Sequence, residues 1–207
     1  MVVEGLAGAG KTAVAHRLAH LWGYRALPEP VGENPFLESF FKDRSRYALQ
    51  AQLFSLLARQ QLLAALAQGD LFTQGTVTDV LFERDRLQAA LHLGPDELAL
   101  YDKIYTVVRE RVPPADLVIY LQARPDVLHD RLRARRMPLG GVPSLQTLEE
   151  WTRTYNDAFF HYARTPLLVV NINDVDLARD DDALKRVAAE AMRARGGTRH
   201  YNPAPVS

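Results

Sequence analysis

Short apolar runs alternate along the chain with longer stretches in which apolar residues recur at helical spacing. Met1-Val2-Val3-Glu4 is a β-prone stub, and residues 12–22 carry Val14, Leu18, Leu21 and Trp22 at helical intervals. Residues 24–28 read as a short strand that runs into Glu29-Pro30. Residues 34–43 read as a loop and a short helix. Residues 47–68 form a long helical stretch rich in Leu, Ala and Gln, stopped by Gly69-Asp70. Leu71-Phe72-Thr73 and Thr76-Val77-Thr78 flank a Gln74-Gly75 break and lead to Asp79. Helices are predicted over 85–93 and 96–111, the second starting after Gly94-Pro95. Leu117-Val118-Ile119-Tyr120-Leu121 is a continuous apolar run, the pattern of a parallel strand covered on both faces. A basic helix over 125–136 follows, then a break at Gly140-Gly141-Val142-Pro143. The next helix covers 144–164, with Ser144 and Thr147 both suited to cap it. Residues 166–171 read as the last strand and 184–192 as the last helix.

This order predicts a single α/β domain over residues 1–207, a parallel β-sheet flanked by helices on both faces and joined by right-handed crossovers. A lid is expected at about 131–143 and a loose tail at about 196–207. In such sheets ligands sit beyond the carboxyl ends of the strands. The stub before Gly5, the strand before Glu29 and the strand before Asp79 therefore aim three chemical groups at one edge.

The first of these is the most specific. Gly5-Leu6-Ala7-Gly8-Ala9-Gly10-Lys11-Thr12 is a complete G-x-x-x-x-G-K-[ST] phosphate loop, with a strand before it and a helix after it. Its backbone N–H groups can curve around an anion. Lys11 adds a point charge for the β/γ-phosphates, and the Thr12 hydroxyl can ligand Mg²⁺. Glu29 stands between two prolines, which hold it in one place as a general base for an attacking hydroxyl. Asp79 suits Mg²⁺, directly or through water, or a helix cap. Arg131, Arg133, Arg135 and Arg136 crowd one helix end ahead of the flexible Met137-Pro138-Leu139-Gly140-Gly141. That arrangement suits a closing lid whose Arg131 and Arg135, four apart on one face, meet a transferring phosphoryl group. Gln52 and Arg59 lie two turns apart on the long helix, and an Asp85-held Arg59 could read a base edge.

Composition narrows the classes. The 207 residues hold 25 Lys plus Arg and 25 Asp plus Glu, so the formal net charge is zero and nothing draws the whole chain to nucleic acid or anionic lipid. With no cysteine, disulfides, Cys-bound metal and a thiol nucleophile are excluded, which agrees with a cytoplasmic setting. The phosphate loop occupies the place where a signal peptide would have its apolar core, and no apolar run approaches membrane-span length.

Taken in order, several segments resemble the deoxyribonucleoside kinases of the deoxyguanosine/deoxyadenosine/deoxycytidine kinase group. They are Glu4 to Thr12, Pro28-Glu29-Pro30-Val31, Asn34-Pro35-Phe36-Leu37, Tyr47-Ala48-Leu49-Gln50-Ala51-Gln52, Arg59, Asp79 to Asp85, Tyr120-Leu121-Gln122-Ala123 with the arginines after it, and Val169 to Asp176. The resemblance implies a P-loop kinase fold with an arginine-bearing lid, and ATP and Mg²⁺ on the phosphate loop. It implies Glu29 as base for the 5′-hydroxyl, Gln52 on the nucleobase, and Arg59 with Asp85 as a coupled pair beyond it. Arg131 and Arg135 match the lid arginines, and Phe36 the wall beside the base. The chain departs at Asp79-Val80-Leu81, where the family often has an acidic-Arg-Ser triplet; Arg84, one turn on, is the candidate substitute. Phe41 replaces a tyrosine that helps hold the 3′-hydroxyl, and no glutamate stands in for its partner between 137 and 144. The Asp79-to-Asp85 pattern looks more like the bacterial purine members. Family pairing through helices, together with the leucines of the long helix (Leu53, Leu56, Leu57, Leu62, Leu63, Leu66), points to a homodimer.

Two rival readings stay open. A nucleoside monophosphate or other small-molecule kinase needs basic groups at the acceptor, yet residues 29–41 carry no Lys or Arg. A non-catalytic ATP-binding switch docking on nucleic acid would need a basic surface that a neutral chain does not advertise.

Overall fold

The computed structural model describes residues 1–66, 74–135 and 141–203. Six strands form one sheet in the order β2-β3-β1-β4-β5-β6, and every pairing is parallel. The strands are β1 (Val2–Gly5), β2 (Arg25–Leu27), β3 (Thr76–Thr78), β4 (Val118–Gln122), β5 (Leu167–Asn171) and β6 (Thr198–Tyr201). The helices are α1 (Lys11–Trp22), α2 (Leu37–Lys42), α3 (Arg44–Leu66), α4 (Arg84–His92), α5 (Pro95–Arg109), α6 (Pro125–Ala134), α7 (Leu145–Phe160) and α8 (Asp181–Arg193), with a 3-10 turn at Val31–Glu33.

β4 and β5 are buried along four of their five positions, as continuous apolar runs sandwiched between helix layers must be. Their side chains join Val3, Val14, Leu18, Leu128, Leu148 and Val187 in the main core. A second core fills the space between α3, α4 and α5, built from Leu56, Leu63, Phe82, Tyr101 and Tyr105. Ser144 alone caps α7, accepting from the Thr147 N–H at 3.1 Å; Thr147 is inside the helix.

Two expectations are corrected. The segment from Gly196 is not loose: Thr198–Tyr201 pairs in register with Leu167–Val170, so β6 and not β5 closes the sheet. Its side chains are mostly exposed, so the strand is held by backbone pairing at an edge rather than by apolar burial. α3 also begins at Arg44, three residues ahead of the apolar stretch. Leu71-Phe72-Thr73, the expected lid segment 136–140 and the tail 204–207 lie outside the described residues.

The order β2-β3-β1 sets three carboxyl ends side by side. Gly5 ends β1, Glu29 follows β2 by two residues and Asp79 follows β3 by one.

Candidate active site

The phosphate loop follows β1 and feeds α1. Gly10 sits at φ 83° at the start of the helix, a left-handed conformation that favours glycine, and no side chain caps the helix there. The uncapped first turn leaves N–H groups available to an anion. Gly8, at φ 91°, lies so close to α6 that a Cβ would meet the Leu128 carbonyl at 2.9 Å. The loop is thus pressed against the helix that carries Arg131.

Asp79 ties the three strand ends together. Its Oδ2 accepts from the Thr12 hydroxyl and its Oδ1 accepts from the Glu29 N–H at 2.8 Å. The residue nominated for Mg²⁺ therefore also fixes the backbone of the nominated base. Thr12 and Asp79 thus meet at one point.

Glu29 is clamped from two sides. Oε1 accepts from Arg59 through Nε at 2.6 Å and through a terminal nitrogen, and Oε2 accepts from Arg84 at 2.5 Å. Burial pushes the Glu29 carboxyl up, but Arg84 and Arg59 overcome it and hold it at about 2. Arg59 also donates to Asp85, which is fully buried in the first turn of α4. Burial drives Asp85 up to about 6 against the pull of Arg59 and Arg84. Burial likewise lowers Lys11, opposed chiefly by Glu4. Four carboxylates (Glu4, Glu29, Asp79, Asp85) thus face three cations (Lys11, Arg59, Arg84) in one cluster.

Beside this cluster opens a cleft of about 260 Å³. Gly5, Leu6, Ala7 and Lys11 line its phosphate end, and Glu29, Arg59 and Arg84 its middle; Gln52, Phe40 and Phe41 also line it. Gln52 is largely buried and has no hydrogen-bond partner among the described residues, so its amide is available to a ligand. Asn34 fastens the loop after Glu29 onto α3, donating to the Ala51 carbonyl and the Ser55 hydroxyl at 3.0 Å each.

The structure brings most of the nominated residues together and separates three. Phe36 does not line the cleft; its ring packs edge-on against Phe54, 6.3 Å between centroids. Arg131 is half-buried and spends one terminal nitrogen on the Ile172 and Val175 carbonyls, each at 2.8 Å. A guanidinium withdrawn from water must find such acceptors. Arg135 is exposed at the end of α6, outside the cleft. The cations that reach Glu29 are Arg59 and Arg84.

Sequence reasoning missed several cleft residues: Arg44, Gln88, His92, Trp151 and Tyr155. A signal was present. Arg84, Gln88 and His92 recur at i, i+4, i+8 on α4, and Trp151 and Tyr155 at i, i+4 on α7, so each set shares a face. Gln88 donates to the Tyr155 hydroxyl at 2.7 Å, and the His92 ring stands edge-on to both Phe40 and Trp151. Glu4, which the sequence marks only as the residue before the phosphate loop, is fully buried beside Arg84.

Known proteins resemble this chain in sequence and in fold. The family model described as deoxynucleoside kinase matches residues 1–194. A deoxyguanosine kinase of Bacillus subtilis is 26% identical over 194 residues, covering 91% of this chain and 94% of its own length. A deoxyadenosine kinase of Dictyostelium discoideum is 25% identical, covering 92% of this chain and 78% of its own. Among solved structures, deoxyadenosine kinase from M. mycoides with bound dATP shares the fold, with a TM-score of 0.75 at 21% identity over 93% of this chain and all of that one.

Proposed function

Since the chain belongs to the deoxynucleoside kinase family and is a phosphotransferase, we propose that it moves the γ-phosphoryl group of ATP to the 5′-hydroxyl of a deoxyribonucleoside, with deoxyadenosine or deoxyguanosine as the preferred acceptor. The observation that carries this reading is the double tie of Asp79, which holds the Thr12 hydroxyl and the Glu29 backbone at once. A phosphate donor on the loop and an alcohol beside Glu29 would then share one cleft.

Catalysis of this kind is positioning and charge stabilisation. The loop glycines and Lys11 would cradle the triphosphate. Glu29, ionised at neutral pH because its two guanidinium partners hold it so, would orient the acceptor hydroxyl and receive its proton. Gln52 would meet the base edge, and the Arg59–Asp85 pair the far side. Thr12 and Asp79 would hold Mg²⁺, directly or through water, and the ion would neutralise charge between the phosphates. One hydroxyl and one carboxylate fit a cation that keeps phosphate oxygens and water as its other ligands. Arg135 would reach the transferring group from the lid, and Arg131 could do so only by releasing its two carbonyls. The purine preference rests on the Asp79-to-Asp85 pattern and on the names of the relatives.

One observation favours a phosphorylated acceptor: Arg44 lines the cleft, its guanidinium 5.9 Å from the Phe40 ring centroid. A label-transfer assay from ATP against the four deoxynucleosides, their ribose counterparts and their 5′-monophosphates separates the readings. Label on deoxyadenosine or deoxyguanosine above the pyrimidines is expected. Transfer to monophosphates alone would overturn the acceptor assignment.

The location and assembly are part of the same reading. No helix among the described residues is long and apolar enough to cross a membrane, and a cysteine-free ATP-dependent enzyme fits the cytoplasm. Most of the α3 leucines are spent internally: Leu56 and Leu63 are buried, and Leu53, Leu62 and Leu66 pack on the same core. Leu57 is exposed, however, as are Leu100 and Val107 on α5, the helix packed beside α3. We read this face as the seat of a homodimer. Light scattering should give twice 23.3 kDa, and a monomer mass at micromolar concentration would remove the assignment.

A further inference from the structure

Arg84 stands between two carboxylates and satisfies one. A terminal nitrogen donates to Glu29 Oε2 at 2.5 Å, while its Nε lies 3.7 Å from Glu4 Oε2, beyond hydrogen-bond reach. Both of those last two atoms are shut off from solvent and have no hydrogen-bond partner among the described residues. Unmet groups of this kind cost free energy, and charge raises the cost. A shift of roughly an ångström would close the gap to the length of a charge-assisted bond. Glu4 itself cannot move far, because its other oxygen accepts from the Gly5 N–H at 2.8 Å and its side chain is fully enclosed at the centre of the sheet. The mobile partner is therefore the arginine.

Glu29 has the opposite problem. Both of its oxygens are taken, Oε1 by Arg59 and Oε2 by Arg84. Oε2 keeps a lone pair for an acceptor hydroxyl, but it can take that hydroxyl's proton only once the guanidinium that holds its basicity down has moved away. Releasing Arg84 into solvent is closed off, since its side chain is only 7% exposed. Releasing it with no counter-charge would strand a buried cation.

We propose that Glu4 is the second station of Arg84: as the acceptor hydroxyl docks, the guanidinium passes from Glu29 Oε2 to Glu4 Oε2, and the freed Glu29 oxygen takes the hydroxyl proton. The inference deepens the proposed function and rests on Glu29 acting there as base. In the step itself the acceptor O–H bond breaks and its proton goes to Glu29 Oε2. The oxygen's electron pair forms the new bond to the γ-phosphorus, and the bond from that phosphorus to the bridging oxygen breaks, its pair leaving with ADP. Arg84 neither gains nor loses a proton. It keeps a carboxylate partner throughout, Glu29 before docking and Glu4 after it. Glu4 is thus a positioning residue that never touches substrate.

Glu4→Gln preserves the shape and an oxygen for Gly5 but removes the charge that would receive Arg84. In steady-state and single-turnover assays with ATP and the preferred deoxynucleoside, kcat is expected to fall about tenfold or more, in keeping with the size of general-base contributions. Both KM values should stay within about threefold of wild type, a binding effect of well under one decade. In a Glu29→Gln background, where no oxygen needs freeing, Glu4→Gln should cost nothing further. Unchanged kcat in Glu4→Gln overturns the inference, and so does an equal, additive loss in both backgrounds, which is the mark of a purely structural Glu4. Wild-type turnover in Glu29→Gln alone instead removes the base assignment, a separate and visible failure. If thermal melts show that Glu4→Gln does not fold, Glu4→Asp gives the same reading: its carboxylate is withdrawn from Arg84, kcat should fall in like manner, and full activity there overturns the inference.

Discussion

Replacing Glu29 by Gln is expected to slow 5′-phosphorylation by about 100- to 10,000-fold, the range that general-base contributions span, or roughly 3 to 5 kcal/mol of transition-state free energy. The substitution keeps the outline of the side chain and its place between Pro28 and Pro30. It leaves the N–H that donates to Asp79 untouched, so the strand ends stay registered. Arg59 retains Asp85 and Arg84 retains Glu4 within an ångström's move, so neither cation is abandoned. The loss should therefore fall on kcat, with the nucleoside KM within a few-fold, and melting curves should show a folded protein. Turnover near the wild-type rate would reject the base role. The pH profile gives an independent reading. Glu29 stays ionised down to about 2, so it does not set the acid limb in the wild type. As pH falls from 7, Asp85, held at about 6, takes a proton, and burial raises Glu4 in the same sense. Protonated Asp85 no longer competes for Arg59, which then closes fully on Glu29, and activity declines below about 6. Since that decline acts through the Glu29 carboxylate, the residual activity of Glu29→Gln should lose the limb near 6.

The contrast between what the sequence disclosed and what it hid has a physical cause. Punctuated features were legible. The phosphate loop is local, its glycines and Lys11 being contiguous, and Glu29 is marked by the prolines around it. The run ending at Leu121 could only be a strand covered on both faces. β6 was not legible, because Thr198-Arg199-His200-Tyr201 buries little and is decided by backbone pairing with a strand thirty residues earlier. The grip of Arg59 on Glu29 was equally hidden. It depends on how α3 leans over the end of β2, a tertiary fact to which neither segment alone testifies. Arg131 shows the reverse error. Its place in an arginine run suggested a mobile charge, whereas packing of α6 against the loop after β5 gave it two carbonyls. The vacancy at Val80 was visible, and so was Arg84 as its candidate substitute. Only the fold shows that the first turn of α4 brings that arginine onto Glu29.

Lys11→Ala should be nearly as damaging, by a different route. Loss of one fixed group that stabilises developing charge typically costs about 100- to 1,000-fold in kcat, and Lys11 is the cation that the loop itself presents. No carboxylate lies within ion-pair distance of its ammonium among the described residues, while Glu4, Glu29 and Asp79 surround it closely enough to offset part of its burial. The ammonium is thus not consumed by a partner, and burial lowers its pKa until a phosphate supplies the missing negative charge. Truncation removes it where the β- and γ-phosphates would lie and leaves the acceptor end of the cleft intact, since Gln52, Arg59 and Phe41 stand on other elements. The ATP KM should rise along with the fall in kcat, and nucleoside affinity measured without ATP should stay within about twofold. A variant that loses nucleoside binding in step with turnover would show that Lys11 supports the acceptor pocket rather than the phosphates. A variant with unchanged turnover would remove the triphosphate from the loop.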